Sequence, residues 1–283
     1  MATILNFKEL LMGRYFSNNK LLDKLTKGEF LPILNYIIRD DSLRIEMRIN
    51  NQAKIYYKKS LVMTLFPMRQ PELLSSGYWR ESIQPVLDLE SPDLYFKSAK
   101  KFVENHKRDI KENIEFEIQQ KIAKNNSSIN NRFLIIDMEY QFEQRKVTNR
   151  TNDKTRFDLV ALDLKLNKIM LLELKQGLGT LTGNSGIDDH YLRFRQHISH
   201  PQFQTALKSD IKGILQSKQL LGLFEFDVNA LIVGLDKAEI DYAYVFAAHS
   251  DVEMESYKKD FGSKYKTLYL DSQANNYTLN DGL

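Results

Sequence analysis

Three charged residues on two apolar stretches carry the chemistry that this sequence offers. Glu173 and Lys175 stand two apart in KIMLLELKQG, residues 168–177, where Ile169, Met170, Leu171, Leu172 and Leu174 are apolar. Asp158 stands in RFDLVALDL, residues 156–164. Both stretches read as interior strands of a covered sheet. Side chains alternate faces along a strand, so Asp158, Val160 and Leu162 share one face, and Leu171, Glu173 and Lys175 share the corresponding face of their strand. A turn within Lys165–Lys168 makes the two strands an antiparallel pair. It sets Asp158 opposite Lys175 and diagonal to Glu173. Diagonal partners lie roughly 7–8 Å apart at Cα, close enough for two carboxylates to share a cation. A register shift of two keeps the carboxylates on one face, and a shift of one separates them.

An ionised group buried without a partner costs several kcal/mol, and two neighbouring carboxylates raise each other's pKa. A divalent cation relieves both strains. Hard Mg2+, or Mn2+ in its place, takes carboxylate, carbonyl and water oxygens, which Asp158, Glu173 and the backbone carbonyl of Leu174 supply. Lys175 beside it would orient a water and stabilise charge developing on a phosphate. The competing reading is a buried Glu173–Lys175 ion pair with a structural role only.

The flanking elements must hold these strands. LYFKSAKKFVENHKRDIKENIEFEIQQKIAK, from Leu94 to about Lys124, carries an apolar helical stripe of Val103, Ile110, Ile114, Ile118 and Ile122. A strand at 132–142, RFLIIDMEYQF, precedes the strand of Asp158. A Gly-rich loop at 177–186 follows the strand of Glu173. Helices are expected around 188–199 and 203–221, strands at 229–235 and 242–249, a helix near 251–260 and a strand at 266–270. This order predicts an α/β fold with a central mixed sheet flanked by helices. Ahead of it, residues 18–38 read as helical material interrupted near Gly28 and Pro32. LRIEMRINNQAKIYYKK then reads as a hairpin turning at Asn50-Asn51. Four of the six prolines, Pro67, Pro71, Pro85 and Pro92, mark a connecting region that also holds Trp79.

An Asp followed on the next strand by Glu-x-Lys resembles the signature of the PD-(D/E)xK nuclease superfamily. Here the match is Phe157-Asp158, then Glu173-Leu174-Lys175, with Phe157 where the family usually has Pro. The resemblance spans about residues 100–235. It implies a restriction-endonuclease-like core and Mg2+-dependent hydrolysis of phosphodiester bonds, in DNA first. It implies metal binding by Asp158, Glu173 and Leu174, with Lys175 positioning the water. A helix before the first core strand often adds an acidic residue in this family; Glu115 and Glu117 are the candidates, Glu115 first. A later helix often adds a Gln or a basic residue, and Gln196 leads Arg193 and Arg195. Many members cut as dimers, so a homodimer is an expected partner state. The same fold also allows an inactive module that binds nucleic acid or protein.

The division expected is a small α+β region over residues 1–95, which would help hold the substrate, and a nuclease-like domain over 96–283. Net charge is only +3, which neither demands nor excludes nucleic acid. With no cysteine, disulfides, thiolate catalysis and Cys-based zinc sites are excluded. No apolar run suggests a signal peptide or membrane span, and a cytoplasmic location is expected. GLGTLTGNSG lacks the Gly-Lys-Ser/Thr ending of a phosphate loop. His197 and His200, three apart, with His190 upstream, allow metal ligation but read first as helix-surface residues. Glu139 shares a strand face with Asp137 and Gln141, and alternation alone leaves open whether that face meets the site or solvent. The basic and aromatic residues of the 43–59 hairpin suit phosphate and base contacts, or a solvated face.

Overall fold

A computed structural model describes residues 14–16, 18–58, 60–74, 86–105, 114–141, 156–176, 186–248, 250–271 and 276–281. The expectations for Trp79, Ile110 and the Gly-rich loop fall outside these residues. The chain forms two compact units, Met1–Glu117 with Ser209–Val228, and Ile118–Lys208 with Asn229–Leu283. Both are α/β in composition. No helix among the described residues is long and apolar enough to cross a membrane.

The first unit begins with α1 (Asn19–Thr26) and α2 (Leu31–Arg39). The Asn18 side chain caps α1 by accepting from the Lys20 N–H, and Pro32 sits in the first turn of α2, where its missing N–H has no intrahelical partner to lose. A four-stranded antiparallel sheet follows: β1 (Leu43–Arg48), β2 (Gln52–Tyr57), β3 (Ser60–Leu65) and β4 (Glu72–Leu73). Asn50 and Asn51 turn the first hairpin with φ of 63° and 55°, a left-handed pair that Asn tolerates. α3 (Asp93–Asn105) then packs its Tyr95 under β3, where the hydroxyl donates to the Val62 carbonyl.

Most of β1 and β2 in the 43–59 hairpin is buried, while Arg44 and Lys54 are half-buried and Lys58 is exposed. Glu46 on β1 is fully buried, with Lys218 3.0 Å from its Oε2 and the Arg44 guanidinium on its Oε1. Burial pushes the Glu46 carboxyl up, but Lys218, Arg44 and Arg48 outweigh it and hold the group well below the usual carboxylate range. Lys218 itself is buried, so each partner compensates a charge that water no longer solvates.

The second unit is built on a six-stranded mixed sheet of order β10-β9-β8-β7-β6-β5. β5 (Phe133–Gln141), β6 (Arg156–Asp163) and β7 (Lys168–Gln176) run antiparallel. β7, β8 (Glu239–Ala248) and β9 (Thr267–Asp271) run parallel, and β10 (Asn280–Asp281) returns antiparallel to β9. The chain passes from β7 to β8 through α5 (Ile187–Ile198), α6 (Pro201–Leu220) and α7 (Asn229–Leu235). α8 (Asp251–Phe261) joins β8 to β9, and α4 (Ile114–Asn125) precedes β5. A parallel pair needs a long crossover, and helices supply it.

Two sequence expectations are corrected. NALIVGL is α7, not a strand. A short apolar run does not distinguish the two states. Here Leu235 is buried while Val233 is 75% exposed, which is a one-sided helix and not an interior strand. The β6–β7 register is also displaced by two. Asp163 faces Lys168 and Leu159 faces Leu172, so the turn is Leu164–Asn167. The Asp163 side chain sets it by accepting from the N–H groups of Lys165 and Leu166, both at 3.1 Å, with Asn167 at φ 51°.

The Glu46 cluster yields a stability test. Glu46→Met should lower unfolding free energy by about 3–5 kcal/mol, because it strands buried Lys218. Adding Lys218→Met should recover part of that loss. Chemical denaturation of the single and double variants reads both effects.

Candidate active site

Asp158, Glu173 and Lys175 come together in the second unit, at the end of the β6–β7 ladder. The last backbone pair is Leu159 with Leu172. Extending that register by one residue sets Asp158 beside Glu173, on the same face of the sheet. Beyond it the Leu174 N–H has lost its strand partner, and Asp158 Oδ2 accepts from it at 2.8 Å. Asp158 therefore touches the residue between Glu173 and Lys175. In an extended strand a residue's N–H and C=O leave on the same side, so the Leu174 carbonyl also faces β6.

All three side chains are buried, with residue exposures of 3% for Asp158, 5% for Glu173 and 5% for Lys175. Lys175 Nζ donates to Glu173 Oε1 at 3.0 Å. His190 on α5 brings Nδ1 to 2.8 Å from the same oxygen. That Nδ1 has no hydrogen-bond partner of good alignment, so its approach to Glu173 is a close polar contact. Burial pushes the Glu173 carboxyl up, but His190 and Lys175 outweigh it and hold it below its ordinary value. Tyr244 lies opposite Glu173 on β8. Its hydroxyl donates to the Ile187 carbonyl at 2.7 Å, and burial, reinforced by the charge of Glu173, pushes its pKa far up.

α5 lies over this face of the sheet. Its residues at helical spacing 187, 190, 191 and 194 turn inward: Tyr191 and Phe194 meet Tyr242, and His190 meets Glu173. Gln196 lies on the opposite, exposed side of the helix, and Arg195 is exposed. The helix residue that reaches Glu173 is thus His190, which the sequence reading placed on the surface. His197 is also buried, packed edge-on against Phe157 and Phe203. Glu115 and Glu117 are half-buried in the first turn of α4, in the part of that helix assigned to the first unit. Asp137 is buried opposite Val160, two residues along β6 from Asp158, and its Oδ1 accepts from the Met138 N–H at 2.8 Å. Glu139, at φ 54°, pairs with Arg156 at 2.7 Å.

Asp158, Glu173 and the Leu174 carbonyl are oxygen donors of the kind a hard cation takes. Among the described residues no group of three or more His, Asp or Glu side chains that could hold a metal ion is present. The charges are also compensated within the protein: Lys175 and His190 on Glu173, and the Leu174 N–H on Asp158. Compared with protein-family models, curated proteins and solved structures, the chain matches none.

The depressed Glu173 carboxyl has a defined pH signature. A folded pKa below the unfolded one contributes stability at neutral pH, and that stability is lost as the pH falls from the ordinary carboxylate range through the folded value. Glu173→Gln should remove this contribution. Its unfolding free energy should change less between pH about 5 and about 3 than that of the native chain. Denaturation midpoints across that range, with equal slopes in the two proteins, would sink the assignment.

Proposed function

We propose that the second unit is a restriction-endonuclease-like, metal-dependent nuclease that hydrolyses phosphodiester bonds, most readily those of DNA. The observation that carries this reading is the tie between Asp158 and the backbone of Leu174. It draws a carboxylate on β6 up to a Glu-x-Lys segment on β7, in a buried setting where all three charges are fixed. Asp158, Glu173 and the Leu174 carbonyl would hold Mg2+ or Mn2+. Bound there, the ion would supply Lewis-acid stabilisation of the phosphoryl oxygens and lower the pKa of a water.

Lys175 has two tasks in this scheme. Its ammonium directs the attacking water at phosphorus and offsets the negative charge that builds on the non-bridging oxygens. The new P–O bond forms from that water while the bond to the leaving sugar oxygen breaks. The water gives up a proton to solvent, and the leaving oxygen takes one from solvent. Because Lys175 is held by Glu173 at 3.0 Å, its position is set before substrate arrives. The first unit would help hold the nucleic acid. A homodimer would bring one site to each strand of a duplex.

A second reading has its own support. Glu173 is already paired with Lys175 and contacted by His190, so the cluster would not require an added cation. On that basis the fold would serve as an inactive module that binds nucleic acid or a protein.

Incubation with plasmid, linear and single-stranded DNA, and with RNA, in Mg2+ or Mn2+ separates the two. Cleavage is expected, and Lys175→Ala or Asp158→Ala should reduce it about 100-fold or more. Cleavage at native rates in both variants would dismiss the assigned site. Absence of cleavage on every substrate, with no metal uptake by calorimetry, would leave the binding module.

A further inference from the structure

We infer that His190 is a positioning residue for Glu173, holding that carboxylate in the orientation in which it takes up a divalent cation. The inference rests on the nuclease reading. It starts from a convergence: Lys175 Nζ and His190 Nδ1 both meet Oε1 of Glu173, at 3.0 Å and 2.8 Å. A carboxylate gripped at one oxygen presents the other in a fixed direction. The two grips come from different elements. Lys175 lies two residues along β7 from Glu173, whereas His190 reaches across from the helix that covers the sheet. One alone allows the carboxylate to swing about the other contact.

His190 is itself held. Its ring meets Phe194 edge-on, with centroids 5.7 Å apart, which sets the ring plane. The first turn of α5 is fastened at two neighbouring residues: the Tyr244 hydroxyl donates to the Ile187 carbonyl at 2.7 Å, and Lys264 donates to Asp188 at 2.8 Å. Tyr265 adds a hydrogen bond to Asp188. Tyr244 is the β8 residue opposite Glu173, so one short route through the core links the helix turn to the strand it serves. A group fixed in this way suits the support of a metal-binding carboxylate, because such partners set ligand orientation without touching the ion.

Calorimetric titration of the full chain with Mn2+ alone tests this. His190→Leu fills the same space without a nitrogen and should weaken Mn2+ binding about 10- to 100-fold. His190→Gln, which restores a side-chain donor, should return the affinity close to native, and thermal melting should be near native for both. A merely structural histidine would show the reverse: lowered melting with no rescue of affinity by Gln. Equal affinity in native and His190→Leu protein, with uptake abolished by Asp158→Asn, overturns the inference and leaves the nuclease reading intact. No Mn2+ uptake by the native chain overturns both. If His190→Leu does not fold, His190→Asn, whose side chain is too short to span to Oε1, is titrated instead under the same outcomes.

Discussion

The hydrogen bond from the Leu174 N–H to Asp158 Oδ2 stands where β6 and β7 stop pairing, and the candidate site is arranged around it. A buried backbone N–H left without an acceptor costs about 1–3 kcal/mol. Asp158 meets that need with a side chain and so remains inside the sheet as a charged group. The same bond brings its carboxylate to the segment that carries Glu173 and Lys175. Asp158 thus ends the ladder and defines one wall of the site.

The parallel pairing of β7 with β8 supplies the other wall. It forces the chain into a long crossover, and the crossover is where α5 arises. α5 covers the face on which Glu173 lies and places His190 against it. The site therefore joins a local feature, two strands and a short turn, to a distant one, a helix fixed by contacts to β8 and to the segment before β9. The charges within it offset one another, which lets them persist in a water-poor interior. That balance is compatible with a cation that shares the carboxylates and with a structural cluster that needs none. The Mn2+ titration and the cleavage assay address this difference directly.

Much of this was legible in the residues. The apolar runs around Ile135, Val160 and Leu172 gave β5, β6 and β7, and alternation placed Asp158 and Glu173 on one face in the expected register and in the observed one, which differs from it by two. The register itself hinged on Asp163, whose side chain caps the turn; an Asp ahead of Leu-Lys-Leu-Asn is a turn signal that the placement at Lys165–Lys168 passed over. NALIVGL misled because a short apolar run carries no period long enough to distinguish helix from strand, and one-sided burial decides it only in three dimensions. His190 was hidden for a related reason. Helical spacing groups it with Ile187, Tyr191 and Phe194, but the sequence does not say that this face meets a carboxylate. The burial of Glu46 was equally out of reach, since Lys218 is far away in the chain and only folding brings it near.

β5 lies at one margin of the six-stranded sheet among the described strands, and its irregularities bear on assembly. The pairing with β6 slips between Ile135 and Asp137, and Glu139 adopts a left-handed backbone two residues further on. Both interrupt the even spacing of N–H and C=O groups that a second strand would need to align against. A continuous sheet running from one copy of the chain into another through this margin is therefore disfavoured. If two copies do associate, this edge is a poor seam for them.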